Sequence, residues 1–385
     1  MPICYPWDRK LKIVFPACWP ILLPQCAGSI SGMKEAFSKV LRRPLTTEDL
    51  PFSRLLCDGR WRGAHGIGRF ATEVLSRLPG ARIVQGEKNF LTPIDPLQID
   101  LRIFRERPLA YFTPGFNPPF LSKIPLVMTI HDLIHLKFPG EGGMAKDLYY
   151  NTVVKPALRK SYRILTVSRF SKEEILAWAN IPEEKVVVVG NGLSEIYSPE
   201  GTVFQPGFPY FLYVGNRKPH KNLPLLFEAL ARSRLPDSFR LLLSGEPDPA
   251  TEKELEKWNV RGRVAFCGII AEADLPSLYR GATALLFPSR LEGFGFPVLE
   301  AMACGVPVLA SRIPAVEEVA GNSVEWLSPD DPDSWARLME KLSSGGSAAL
   351  EEKKLQAIDR SRRFSWEEVG DRVRAVLLEA MDVSP

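Results

Sequence analysis

The sequence predicts an α/β protein of two facing parallel-sheet domains, on three observations. Short apolar runs of strand length recur along the chain, each followed by a loop and a stretch with helical periodicity. A Pro- and Gly-rich stretch splits these units into two successive series. The 385 residues, 45% hydrophobic and 24% charged, are enough to bury two cores of ordinary size. Successive β/α units of this kind build parallel sheets, whose ligands bind at the carboxyl ends of the strands.

The first fifty or so residues show no such periodicity. Asp8-Arg-Lys-Leu-Lys precedes the apolar run Ile13 to Pro24, which has the outline of a secretion signal. Pro16, Pro20 and Pro24 would break its helix and no A-x-A pattern follows, so residues 1–52 are expected to be a loosely attached or disordered extension. The first strand is expected at Ser53-Arg-Leu-Leu-Cys57. It leads into the glycine-rich Gly63-Ala-His-Gly-Ile-Gly68 and a helix from about Arg69. Leu126 to Ile130 is a second buried run, followed at once by His131-Asp132, and Arg163 to Val167 is a third. The helix after it has Ser171 and Glu174 at capping-box spacing, with Phe170 and Ile175 placed as a hydrophobic staple. Lys185 to Val189 closes the series.

Gly190-Asn-Gly192 and the stretch from Ser198 to Pro209 read as a linker. In the second series the strand candidates are Tyr210–Val214, Arg240–Leu243, Val264–Phe266, Ala284–Phe287 and Val306–Leu309. Pro297 suits a first helical turn and Gly305 a helix end, so Val298 to Cys304 reads as a short helix with Glu300 in its first turn. Ser365-Trp-Glu-Glu368 opens a final amphipathic helix.

Composition excludes several classes. A net charge of +4 and a pI near 8.6 permit an anionic ligand or a membrane surface, yet no basic block or RNA-binding signature is present. The six cysteines contain no C-x-x-C pair, which favours reduced thiols in a cytoplasmic protein. No apolar run reaches the ~18 residues of a membrane span.

The chemistry concentrates in Glu292-Gly-Phe-Gly-Phe-Pro-Val-Leu-Glu300. Both acids follow the strand ending at Phe287, so both can face one cleft. A carboxylate there can hold a ribose diol, and free amides of the loop and helix start attract anionic or hydroxylated ligands. The bland alternative is a solvated Glu292 and a Glu300 that complements the helix dipole. Asp331-Pro-Asp333 precedes a helix and reads as a cap, not as a metal-binding Asp-x-Asp. His131 and His135 lack the third ligand and the Glu of H-E-x-x-H. The order of glycines at 63–68 is G-x-x-G-x-G, which argues against a nicotinamide fingerprint.

The string from Glu292 to Ser311 resembles the E-x7-E signature of retaining GT-B glycosyltransferases of family GT4, and the similarity runs from about residue 54 to the C-terminal helix. It looks closest to the mannosyltransferase-like members of bacterial surface polysaccharide synthesis. The resemblance implies Rossmann-like domains over 53–200 (acceptor side) and 201–363 (nucleotide-sugar side), with a helix over 364–385 packing back toward the first. It also implies that Arg217 and Lys221 of Arg217-Lys-Pro-His-Lys221 face the donor diphosphate, although His220 stands where the pattern often has Arg. Glu300 would hold the nucleotide, Glu292 and the amides of Gly293, Phe294 and Gly295 the sugar. Gly66 and His131 would complete the site from the first domain, and backbone near Ile270 would meet the base. The implied donor is GDP-mannose, with a UDP-sugar as the alternative, and no metal. The implied acceptor is a saccharide or lipid-linked saccharide, not nucleic acid, met in the cytoplasm or peripherally on the cytoplasmic face of the membrane. An epimerase or phosphorylase on the same fold, or a non-catalytic sugar-nucleotide binder, is the alternative.

Overall fold

The computed structural model describes residues 52–86, 92, 94–138, 143–345 and 348–383, so the expected extension lies outside the described residues except for Phe52, which is buried in the first core. In chain order the first unit comprises β1 (Leu55–Asp58), α1 (Gly66–Ser76), β2 (Arg82–Val84), α2 (Asp95–Glu106), β3 (Ala110–Thr113), β4 (Leu126–Thr129), α3 (Ile134–Lys137), α4 (Gly143–Tyr149), α5 (Lys155–Lys160), β5 (Arg163–Thr166), α6 (Arg169–Ala179) and β6 (Val186–Val188). The second comprises β7 (Tyr210–Tyr213), α7 (Leu223–Arg232), β8 (Arg240–Leu243), α8 (Pro249–Lys257), β9 (Val264–Phe266), α9 (Leu275–Gly281), β10 (Ala284–Phe287), α10 (Phe296–Ala303), β11 (Val308–Ser311), α11 (Pro314–Ala320), β12 (Glu325–Leu327) and α12 (Pro332–Ser343). Helices α13 (Ala348–Ser361) and α14 (Trp366–Asp382) end the chain.

Every strand pairing is parallel. The sheets run β2-β1-β3-β4-β5-β6 and β12-β11-β10-β7-β8-β9. Strands such as Leu55–Asp58 and Ala284–Phe287 are buried at every position, because helices cover both faces of a parallel sheet. Strand order reverses between β1 and β3 in the first sheet and between β10 and β7 in the second. Loops at these two reversals splay apart and leave a crevice.

Helix α14 crosses back to the first unit. Trp366, Val369, Val373, Leu377 and Ala380 enter the first core beside Leu55, Phe70 and Ile164. Ser365 caps it through the Glu367 amide at 3.1 Å. Among the described residues no helix is long and apolar enough to cross a membrane.

Three local expectations need correction. Helix α1 begins at Gly66, not Arg69, because His65 supplies the cap: its Nδ1 accepts the Gly68 amide at 3.0 Å. Helix α6 is capped by Ser168, which takes the Ser171 amide at 3.0 Å, so Ser171 lies inside the helix. Helix α10 begins at Phe296, which moves Glu300 to the second turn, where the helix dipole does little for it.

Candidate active site

The two reversals bring together loops from both sheets. From the first come the turn after β1 and Pro114 after β3; from the second come residues 215–221 after β7 and 288–295 after β10. Glycine lets the loops meet. A Cβ on Gly293 would lie 2.9 Å from the His131 carbonyl oxygen and 2.9 Å from the Asp132 Cβ, so this position has no room for a side chain. Ser171 Oγ donates to the same carbonyl at 3.0 Å. Gly66 faces Phe296, the first residue of α10, with 3.7 Å from a built Cβ to the ring. Gly293 and Gly66 thus sit where one unit touches the other.

Both acids are buried, Glu292 at 7% and Glu300 at 2% exposure, which excludes the solvated reading of Glu292. Each has a cation. Lys221 Nζ donates to Glu292 Oε1 at 2.7 Å. Glu300 Oε1 takes Arg69 Nη1 at 2.5 Å, and its Oε2 accepts the Tyr279 hydroxyl at 2.7 Å. Arg69 comes from α1, so this pair joins the two units. Its Nε lies 3.2 Å from Glu272, and its guanidinium stands 5.0 Å from the centre of the Phe296 ring. Burial, with the Glu300 carboxylate beside them, pushes the hydroxyls of Tyr279 and Tyr197 well above the ordinary tyrosine range.

Arg217 is directed elsewhere. Its Nη2 donates to the Ser244 carbonyl at 2.9 Å and its Nε lies 3.0 Å from Asp248, so it points along the end of β8 while Lys221 turns to Glu292. His131 has Nε2 2.9 Å from the Pro114 carbonyl and its ring edge-on to Phe70 at 5.0 Å. Burial lowers its pKa, opposed by that carbonyl and by Asp132. At neutral pH it is therefore a neutral imidazole at the seam of the two units.

The Phe294 side chain is buried in a small apolar cluster that joins Val167 of the first unit to Leu299 and Val319 of the second. Gly295 turns the chain into α10 at a φ of 112°, which a β-carbon would strain. Ile270 is half-buried on the second core, near the Gly268 carbonyl that accepts the Gly245 amide at 2.8 Å. Asp331 caps α12 through the Ser334 amide. Among the described residues no group of three or more His, Cys, Asp or Glu side chains is placed to hold a metal ion. An open cavity of about 480 Å³ between α6 and α11, lined by Arg169, Phe170, Glu317 and Glu318, contains none of the candidate residues.

Sequence reasoning missed Arg69, Tyr279 and Gly68. A Cβ on Gly68 would fall 2.6 Å from the Gly63 nitrogen, so the third glycine of the turn is the one that packing demands. Arg69 had a readable signal, the lone cation of its helix, set among the apolar Ile67, Phe70 and Ala71.

Two family models match, Glycosyltransferase Family 4 over residues 60–195 and Glycosyl transferases group 1 over residues 198–363. The chain is 28% identical over 356 residues to the O-antigen chain mannosyltransferase B of Escherichia coli, covering 78% of this chain and 93% of that protein. It is 30% identical over 221 residues to the O-antigen chain mannosyltransferase RfbU of Salmonella typhimurium, covering 56% and 60%. Among solved structures, sucrose-phosphate synthase from Thermosynechococcus elongatus superposes with a TM-score of 0.68 at 17% identity over 86% of this chain and 99% of that one. The Anabaena protein HepE, solved with UDP-glucose, gives 0.66 at 17% over 84% and 98%. At such identities the superpositions speak for the fold, while the two family models cover both sheets and the crevice between them. The chain is a hexose-transferring glycosyltransferase of the GT4 family with the GT-B fold.

Proposed function

We propose that the protein transfers mannose from GDP-mannose, with retention of configuration, to a saccharide or lipid-linked saccharide in surface polysaccharide synthesis, at the cytoplasmic face of a membrane. The observation that carries the reading is the burial of Glu292 and Glu300 at the strand-order reversal of the second sheet, opposite Gly66 and His131 of the first. The mannosyl group and the polysaccharide context come from the names of the two bacterial relatives.

In this reading residues 201–363 bind the donor and residues 53–200 the acceptor. Glu300 accepts the hydroxyls of the ribose, and backbone near Ile270 meets the base. Lys221 and Arg217 stabilise the charge that grows on the departing diphosphate, so no metal is required. Lys221 would exchange its present partner, Glu292, for phosphate, which frees Glu292 to act beside the sugar with the amides of Gly293, Phe294 and Gly295. His131, held neutral, offers a hydrogen bond to the sugar without adding positive charge. The leaving phosphate takes the acceptor proton on the face it departs from, and positioning supplies much of the rate.

A thermal-shift screen of GDP- and UDP-sugars tests the donor, since a ligand selective for the folded chain raises its melting temperature. NMR of the product then reads its anomeric configuration. Inversion refutes retention; a shift with UDP-sugars alone refutes the guanine donor; transfer only to water or phosphate favours a phosphorylase.

A further inference from the structure

The reversal of strand order in the first sheet encloses a hydrogen-bonded network that none of the steps above uses. Asp58 ends β1, Asp95 begins α2, and both are buried, at 0% and 1% exposure. They share one cation, Arg60, whose guanidinium donates to both. Between them lies the amide of Asn117, itself buried, with its full capacity of four hydrogen bonds in use. Its Nδ2 donates to Asp58 at 2.6 Å and to Asp95 at 3.2 Å, while its Oδ1 accepts Trp61 Nε1 at 2.6 Å and the Thr113 hydroxyl at 2.8 Å. Two buried carboxylates on one guanidinium add little stability that an apolar core of the same shape would lack. What a fully satisfied network supplies is a fixed geometry.

That geometry ends at the ring of His131. Thr113, fully buried, gives its only proton to Asn117, so its oxygen is left to accept, and it takes the Gly115 amide at 3.3 Å. This N–H belongs to the peptide that joins Pro114 to Gly115. In a trans peptide N–H and C=O point in opposite directions, so anchoring the one aims the other. The other is the Pro114 carbonyl, 2.9 Å from His131 Nε2. Trp61 holds the same peptide from the side: a Cβ on Gly115 would lie 2.1 Å from its ring, so only glycine lets the indole lie there. A carbonyl can only accept, which puts the proton of the neutral imidazole on Nε2 and the lone pair on Nδ1.

We propose that Thr113 is a positioning residue for the transfer: through the Pro114–Gly115 peptide it holds the His131 ring in one orientation and one tautomer, with Asn117 and its two carboxylates as the fixed base. The hydrogen bond that His131 offers a sugar hydroxyl is then one it accepts, through Nδ1. That last contact rests on the reading that His131 faces the sugar of the donor; the coupling of Thr113 to His131 does not.

Thr113→Val removes the hydroxyl and keeps the shape, and Thr113→Ser restores the hydroxyl. In NMR of the full chain labelled with ¹⁵N-histidine, with His131→Gln assigning the signal, the Nε2 proton of His131 should give a hydrogen-bonded resonance. Thr113→Val should broaden it by solvent exchange and Thr113→Ser should recover it. With GDP-mannose, kcat should fall about tenfold in Thr113→Val, the worth of one hydrogen bond, with the Kd of GDP in calorimetry unchanged; Thr113→Ser should regain most of the rate. Because Thr113 acts through His131, Thr113→Val/His131→Gln should be no slower than His131→Gln alone. Additive losses in that double variant overturn the proposal, as does a native Nε2 resonance in Thr113→Val or a loss of kcat that Thr113→Ser does not relieve. Should Thr113→Val fail to fold, Trp61→Phe withdraws one N–H from Asn117, keeps a ring against Gly115, and is read by the same measurements. A native chain idle with GDP-mannose refutes the donor reading, while the resonance still decides the coupling. A Thr113-dependent resonance in a chain whose turnover survives His131→Gln supports the coupling and refutes the sugar contact.

Discussion

Replacing Glu300 by alanine should cause two losses that can be separated. Its carboxylate is engaged on both oxygens, by Arg69 at 2.5 Å and Tyr279 at 2.7 Å, and is 2% exposed. Without it Arg69 keeps only Glu272 at 3.2 Å, a partner whose side chain is 42% exposed. Stranding one member of a buried ion pair costs about 3–5 kcal/mol; with Arg69 still 16% exposed and Glu272 in reach, about 2–3 kcal/mol is expected here. The second loss is the ribose contact, a hydrogen bond to a charged group worth about 1.5–3 kcal/mol, or roughly ten- to 150-fold in donor Kd. The double variant Arg69→Ala/Glu300→Ala separates them. It no longer buries a stranded cation, so most of the stability should return, while donor affinity should stay low. Urea midpoints report the first quantity and titration calorimetry with the nucleoside diphosphate the second. Native affinity in Glu300→Ala refutes the ribose assignment. Recovery of affinity in the double variant refutes it differently, by showing that Glu300 matters only as the counter-ion of Arg69.

Three further outcomes are expected. Glu292→Gln keeps the shape and removes the charge that would strengthen a contact in the transition state, so kcat should fall about a hundredfold with donor Kd within a few-fold of native. Equal losses in both quantities would remove Glu292 from the reacting centre. Turnover should persist in excess EDTA; complete loss restored by Mg²⁺ or Mn²⁺ would contradict cation stabilisation by Lys221 and Arg217. His135 is held down to about 3 by burial and by Lys146 nearby, so below the unfolded value of about 6.5 the unfolded chain binds a proton that the folded chain refuses, and stability falls as pH falls. Between pH 7 and 5 His135→Gln should lessen that fall by about 2 kcal/mol in urea titrations; an unchanged slope would show that other groups govern it.

The sequence revealed most strands whose burial on both faces produced an unbroken apolar run, as at Leu126–Thr129 and Ala284–Phe287, but passed over Ala110–Thr113, which is buried at every position. It concealed β2 and β12, three-residue edge strands that are mostly half-exposed and have no such run. Helix starts were misread where the cap was unusual: a histidine serves α1, and Ser168 stands three residues before the serine with the better motif spacing. The two acids stand in one string, and Lys221 was named from a second string 71 positions earlier, so both groups were on view before the structure paired Lys221 with Glu292. Arg69 and Glu300 are 231 positions apart, and nothing local signals a contact formed only when two sheets meet. At Phe294 the side chain belongs to the packing, which leaves its backbone amide, the group the sequence reading named, as the part that can meet a ligand.

Helix α14 bears on how the chain folds during synthesis. The strands of the first sheet leave the ribosome well before α14, so the surface that Trp366, Val373 and Leu377 will cover stays bare until that helix is made. The first half must therefore wait, partly folded, while the second half is translated and folds on its own more local contacts. A premature stop shortly before residue 366 would leave an intact second sheet joined to a first sheet with an open apolar face, a species more suited to chaperones and proteases than to catalysis. Ribosome-arrested chains of increasing length should show that half becoming protease-resistant only once α14 has emerged.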